Sequence, residues 1–314
     1  MFYNYKTSCA LSFLLTITVS QLYGSSIARS YADPHELSYY PPKAECTEYQ
    51  IHVMIISDND YALQEFLTTS TTRSSAHYAA IKDGTTVTET FTYNIAASFY
   101  QPKNLPKSNM VILAAHGVGL ARAYWNSPFT PKEHNFVQYA ISKGYSVIFY
   151  DRLGNSKPDK LFPFKNQFKM QREVVKELAV LVRSGQYTGN SGAPVKVVAM
   201  GFALGAYIAR YTMAAHPGLF DAAILAGVNS NTSVINTNGL VRSFVPRVAS
   251  LQNAHKFGGL DTGYVTWVDG IATINTYFKY PRYQNPFTFT EFETLIDGDL
   301  DAINFTCPVL ASNF

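Results

Sequence analysis

Cysteine, clustered charge and long apolar runs are all scarce in this chain, and each scarcity removes a class of function. Cys9, Cys46 and Cys307 are the whole cysteine complement. No group of His, Cys or carboxylate residues recurs at ligand spacing, so neither a metal nor any other cofactor is expected. Lys and Arg number 25 against 22 Asp and Glu, a net charge of +3 that is small for 314 residues. The basic residues are scattered rather than gathered in a stripe, which argues against nucleic acid as a partner. A dinucleotide fingerprint is also lacking. Gly117-Val118-Gly119-Leu120-Ala121-Arg122 begins like one, but Arg122 stands where the motif needs a small residue for close helix packing.

One apolar stretch does stand out. Lys6 precedes Ala10-Leu11-Ser12-Phe13-Leu14-Leu15-Thr16-Ile17-Thr18-Val19, and the small residues Gly24-Ser25-Ser26 follow. That order reads as a secretory signal peptide over residues 1–28, with cleavage between Gly24 and Ala28. The run is short for a membrane anchor, and no other segment is long and apolar enough. The expected product is secreted and extracellular, with no stable membrane span after cleavage. Cleavage removes Cys9, leaving Cys46 and Cys307 to pair with each other or to lack a partner. Asn231-Thr232-Ser233 and Asn304-Phe305-Thr306 match the glycosylation acceptor pattern, so a secreted chain would be a candidate glycoprotein.

Length and a hydrophobic content of 47% suit one large α/β domain. After an irregular arm over 29–48, a strand is expected from Tyr49 to Ile56, broken by Ser57-Asp58-Asn59-Asp60, and a second from Thr85 to Tyr100. Met110 to Ala115 and Tyr145 to Tyr150 are short continuous apolar runs, the pattern of strands buried on both faces. Helices are predicted over Pro131 to Lys143 and Phe164 to Ser184, the second with Met170, Val174, Leu178 and Leu181 on one face. A further buried strand is read at Ala222 to Ala226. This alternation of strand and helix predicts a core over 49–228 built on a mostly parallel sheet with helices on both faces. Residues 229–305 then read as an inserted helical cap with segments Leu240 to Ala254, Thr266 to Phe278 and Thr290 to Ile303. Residues 306–314 begin one more strand.

The focus of the chain is the turn Gly201-Phe202-Ala203-Leu204-Gly205, between the apolar run Val195 to Met200 and the helical stretch Ala206 to His216. A strand, a glycine-bracketed pentapeptide and a small-residue helix form the context of a nucleophile elbow, whose central residue is a serine in the hydrolytic motif. Here that residue is Ala203. Its methyl group cannot be deprotonated and cannot attack a carbonyl.

With the elbow, the His116-Gly117 turn, the Asp151-to-Ser156 turn and the helical insertion in this order, the chain resembles the α/β-hydrolase family in a secreted, lid-bearing form. The resemblance places a lid at 229–305 between the sixth and seventh core strands. It implies ester or amide hydrolysis as the family chemistry, and it assigns an oxyanion hole to the backbone N–H groups of Val118 and Leu204. His116, Gly117, Gly201 and Gly205 shape the two turns that carry them. The family acid and histidine follow the seventh and eighth strands. Both positions would fall beyond Phe314, so the eighth strand and closing helix are expected to be missing from a truncated chain.

Substitutes for the triad are weak. Asp221, His216 and His255 invite one, but His216 ends a helix before Pro217 and His255 lies in the insertion; Ser230 and Ser233 are ordinary loop serines. Asp151 reads as a structural turn residue. The insertion aromatics Phe244, Trp267, Tyr277, Phe278, Tyr280 and Tyr283 either line an apolar pocket or pack the cap. Three readings follow: an inactive hydrolase-like protein that binds an apolar small molecule or ester-like compound, an active serine hydrolase whose sequence here is altered at 203 and incomplete, and a non-enzymatic interaction protein.

Overall fold

The computed structural model describes residues 7–8, 39–60, 86–104, 107–128, 131–155, 161, 163–228, 247–260, 263–266, 285–288, 290–291, 294–295 and 301–312. Among these, the principal sheet has strands β1 (Thr7–Ser8), β2 (Ala44–Asp60), β3 (Thr86–Pro102), β4 (Met110–Ala115), β5 (Ser146–Tyr150), β6 (Lys196–Phe202), β7 (Ala222–Ala226) and β11 (Val309–Ser312). Their order is β1-β2-β3-β5-β4-β6-β7-β11. β5, β4, β6, β7 and β11 run parallel, and β2 and β3 form an antiparallel flank. The architecture is α/β, a mostly parallel sheet with helices on both faces, as the alternation predicted.

Strand periodicity divides the core into two layers. On one face Val111, Leu113 and Ala115 of β4 join Val197 and Ala199 of β6 under α3 (Phe168–Arg183) and α4 (Leu204–Ala215). On the other, Ile112, Ala114, Val198 and Met200 pack with Val137, Ala140 and Ile141 of α2 (Phe136–Ser142). Residues buried on both sides of a strand need a continuous apolar run, which is why β4 and β5 were legible from sequence.

Several boundaries differ from expectation. β2 begins at Ala44, inside the predicted irregular arm, because Ala44 to Glu48 pair with Ser98 to Pro102. It also continues through Ser57 to Asp60. The Thr88 hydroxyl donates to Asp58 at 2.5 Å, and buried Asn59 reaches Met170 Sδ of α3 at 3.5 Å, so partners offset the cost of these polar residues. The helix expected over Pro131 to Lys143 is split into α1 (Pro131–His134) and α2. Asn135 interrupts it, because its side chain accepts the Gln138 N–H at 2.7 Å and caps α2.

The insertion departs most. Its described part contains a three-stranded antiparallel sheet of β8 (Arg247–Val248), β9 (Tyr264–Thr266) and β10 (Phe287–Thr288), with one-turn helices α5 (Ala249–Gln252) and α6 (Ala254–Phe257). A purely helical cap is therefore incorrect for these residues. Apolar and aromatic spacing without clear period fits either element. Residues 229–246 and 267–284 lie outside the described residues, and with them Ser230, Asn231, Ser233, Phe244, Trp267, Tyr277, Phe278, Tyr280 and Tyr283.

A Cys46–Cys307 bridge is excluded. Cys46 is disulfide-bonded with a partner outside the described residues, whereas Cys307 is a free, half-buried thiol. Cys46 lies on β2 and Cys307 just before β11, six strand positions away in the sheet order. At about 4.8 Å per strand, that separation far exceeds disulfide reach.

Candidate functional site

A single residue, Ala203, joins β6 to α4. It has φ +49° and ψ −118°, a region in which side chains are strained. The backbone fixes it on two sides. Its N–H donates to the Ala226 carbonyl at 2.9 Å, and its own carbonyl accepts from Ala206 at 2.9 Å and Tyr207 at 3.2 Å. The flanking glycines are required by space. A Cβ at Gly201 would lie 2.4 Å from Ala206 Cα, and one at Gly205 would lie 2.2 Å from the Ala115 carbonyl oxygen. Strand and helix could not approach this closely with any larger residue.

The turn after β4 meets this elbow. A Cβ built on Gly117 would be 3.4 Å from Ala203 Cβ and 3.3 Å from the Phe202 carbonyl oxygen. His116, Gly117, Gly201, Ala203 and Gly205 are thus brought together at the C-terminal ends of β4 and β6. Among the described residues, no hydrogen-bond partner is found for the N–H of Val118 or of Leu204. Both groups belong to the turns that converge here. Phe202 adds an aromatic shelf by stacking on Tyr124 with ring centroids 4.9 Å apart, and Tyr124 meets Trp125 edge-on. Ala203 and Val118 are half-buried, whereas Leu204 is buried.

His116 is wholly buried. The Arg152 backbone N–H donates to its Nε2 at 3.2 Å, which leaves Nδ1 to carry the proton and donate to the Gly117 carbonyl at 2.8 Å. Burial, reinforced by the Arg152 charge, lowers its pKa to about 3 and keeps the ring neutral. Through two bonds to Arg122, Asp151 holds the turn after β4, not the turn that it begins. Its two oxygens take the Arg122 backbone N–H at 2.8 Å and guanidinium at 2.5 Å, tying the turn after β4 to the end of β5.

Arg152 and Glu291 form an ion pair at 2.9 Å with both side chains fully buried. Gln171 donates to the same Glu291 oxygen at 2.8 Å and to Asn166 at 2.8 Å. Burial pushes the Glu291 carboxyl up against the opposing pull of Arg152. Further bonds seat the insertion on the core: Asn285 N–H to the Gly119 carbonyl at 3.1 Å, Tyr264 hydroxyl to Leu161 at 2.7 Å, and Phe168 N–H to the Thr294 hydroxyl at 2.8 Å. Sequence reading missed Arg152, Gln171 and Glu291 as a unit. Glu291 follows Arg152 by 139 residues and sits in no motif, so only folding reveals the pair.

The makeshift triad is not assembled. His216 terminates α4 at the end opposite Ala203, about 18 Å along the helix axis. It lies 3.8 Å from Glu173 instead, while Asp221 binds Arg183 at 2.6 Å. His255 belongs to α6. Among the described residues, no group of three or more His, Cys, Asp or Glu side chains could hold a metal ion. A depression of about 460 Å³ is formed by α1 and α2 and touches neither Ala203 nor the 116–118 turn.

No family model matches the sequence, and no curated protein matches it. Among solved structures, a hypothetical protein from Pseudomonas aeruginosa is similar at 12% identity and a TM-score of 0.47, over 92% of this chain and 82% of that one. An open-form lipase is similar at 18% identity and a TM-score of 0.42, over 69% and 74% of the two chains. A cold-adapted esterase from an Arctic intertidal metagenomic library, bound to polyethylene glycol, is similar at 11% identity and a TM-score of 0.36, over 65% and 69%. These similarities are too distant to bear on chemistry.

Proposed function

We propose that this chain is a secreted, catalytically silent protein of α/β-hydrolase type that binds a carboxylate or ester group carrying an apolar tail. The observation that carries the reading is Ala203, a methyl group held at the elbow, with the N–H groups of Val118 and Leu204 on the adjoining turns lacking a hydrogen-bond partner among the described residues. Two backbone donors on adjoining turns suit an oxygen bearing full or partial negative charge. The Phe202–Tyr124 shelf offers an apolar surface for the remainder of the ligand. Acyl transfer requires a nucleophile and a base, and this elbow supplies neither. Exposed Asn304 within Asn304-Phe305-Thr306 is compatible with glycosylation on export.

Titration calorimetry with decanoate and with methyl decanoate tests the reading. Saturable binding of at least one of them, weakened by Val118→Pro, which deletes one donor, is the expected result. Absence of binding by either compound would overturn it, as would ester turnover by the purified chain.

Strain favours a second reading, that of an elbow made to hold a reacting serine. A non-glycine residue at these dihedrals costs about 1–3 kcal/mol, and a silent site gains nothing evident from it. Ala203→Ser tests this directly. Hydrolysis of a nitrophenyl ester well above the wild-type rate would favour it. We expect none, because the fully buried His116 has both ring nitrogens engaged.

A further inference from the structure

Gly117 and Val118 share one peptide plane whose two polar ends have opposite surroundings. The Gly117 oxygen accepts from His116 Nδ1 at 2.8 Å and lies 3.5 Å from Arg152 Nη2. A trans peptide points its N–H opposite to its carbonyl. The contacts that hold the oxygen therefore aim the Val118 N–H away from His116 and Arg152. His116 is itself held by the Arg152 backbone N–H at 3.2 Å. The Arg152 guanidinium is held by Glu291 at 2.9 Å, and Gln171 supports that carboxylate at 2.8 Å. One continuous set of bonds thus runs from the insertion to a single backbone donor beside Ala203.

We propose that His116, Arg152 and Glu291 are positioning residues for the Val118 N–H, and that the seating of residues 285–288, 290–291 and 294–295 on the core controls whether that donor is presented to a ligand. Removing the carboxylate leaves a buried guanidinium without compensation. Among the described residues its side chain has one other hydrogen-bond acceptor, the Gly117 oxygen at 3.5 Å, so the peptide plane responds directly. In the other direction, a ligand oxygen on Val118 N–H polarises the amide and strengthens the bonds to its carbonyl. By linkage, a ligand that prefers the seated arrangement also tightens the insertion. The consequence for ligands rests on the binding function proposed above, whereas the geometric relay does not.

The test compares the Val118 amide resonance in ligand-free, isotope-labelled wild type, Glu291→Gln and Thr294→Val. Thr294 also ties the insertion to the core, through Phe168 N–H, and among the described residues it makes no hydrogen bond to His116, Arg152 or Glu291. Glu291→Gln is expected to displace the Val118 resonance by more than its linewidth, and Thr294→Val to leave it in place. Decanoate affinity is expected to fall about tenfold in Glu291→Gln, the loss of roughly one charge-assisted hydrogen bond, and to stay within twofold of wild type in Thr294→Val. Equal displacement by both variants, or by neither, overturns the relay whatever decanoate does. Failure of wild type to bind decanoate overturns the binding of carboxylates alone, because the resonance comparison is made without ligand. Should Glu291→Gln not fold, Gln171→Met removes one donor from Glu291 while keeping the ion pair. It is expected to displace the same resonance, and an unmoved resonance overturns the relay.

Discussion

Gly117 and Ala203 face each other across the ends of β4 and β6, close enough that a Cβ on Gly117 would touch the Ala203 methyl at 3.4 Å. Both turns are therefore fixed by mutual contact as well as by local sequence.

Ala203→Gly should stabilise the fold. It relieves about 1–3 kcal/mol of backbone strain and returns about 0.4–1 kcal/mol to the unfolded chain through added flexibility. A net gain of about 1 kcal/mol is expected, which raises Tm by a few degrees in a chain of this size. Calorimetry on the two proteins checks it; an unchanged or lower Tm would mean that the elbow is not strained.

Gly205→Ala should be severely destabilising. Its Cβ would meet backbone oxygens of Ala115 at 2.2 Å and His116 at 2.7 Å, and backbone cannot yield as a side-chain tip can. A loss of about 3 kcal/mol or more is expected from overpacking. Gly218→Ala is the control, since nothing lies within 4 Å of that Cβ. Urea denaturation of both variants should show a large shift of midpoint for the first and almost none for the second.

Acid should weaken the fold through His116. Its folded pKa, about 3, is below the ordinary value of 6.5. As pH falls through 6.5, the unfolded chain takes up a proton that the folded chain refuses. Stability from this group is complete above pH 6.5 and is lost at up to about 1.4 kcal/mol per pH unit on the way down, until about pH 3. Glu291, whose carboxyl is raised, acts in the opposite sense above the ordinary carboxylate range. Comparison with His116→Gln separates the two. The variant is less stable at pH 7, and its deficit should shrink as pH falls from 6.5 to 4; a constant deficit would refute a neutral buried ring.

Thiol counting tests the proposed N-terminal cleavage. With Cys46 bridged and Cys307 free, the unreduced denatured full chain should take up one alkylating group. Removal of residues 1–28 carries Cys9 away and leaves Cys46 without an intramolecular partner, so the processed chain should take up two. Mass spectrometry of the exported protein decides between them.

Local pattern made much of the fold legible. Met110 to Ala115 and Ala222 to Ala226 are continuous apolar runs, and both became strands with those bounds. Gly201 and Gly205 announced a close strand–helix crossing, and the space around them permits nothing larger. The same logic failed at Asn135, where one side-chain bond to Gln138 divides a helix. It failed again at Arg247–Val248 and Tyr264–Thr266, where the surrounding apolar residues gave no period to distinguish strand from helix.

By itself, then, the sequence determined the order of the core strands along the chain, the small residues at the elbow and the absence of a reacting atom at Ala203. These depend on side-chain size and type at neighbouring positions. Tertiary structure alone decided that Arg152 meets Glu291, that His116 is buried and neutral, that Cys46 and Cys307 stay apart and that the insertion rests on the turn carrying Val118. Each of those joins residues distant in the chain or depends on exclusion of water, and neither property is written in the spacing of any one segment.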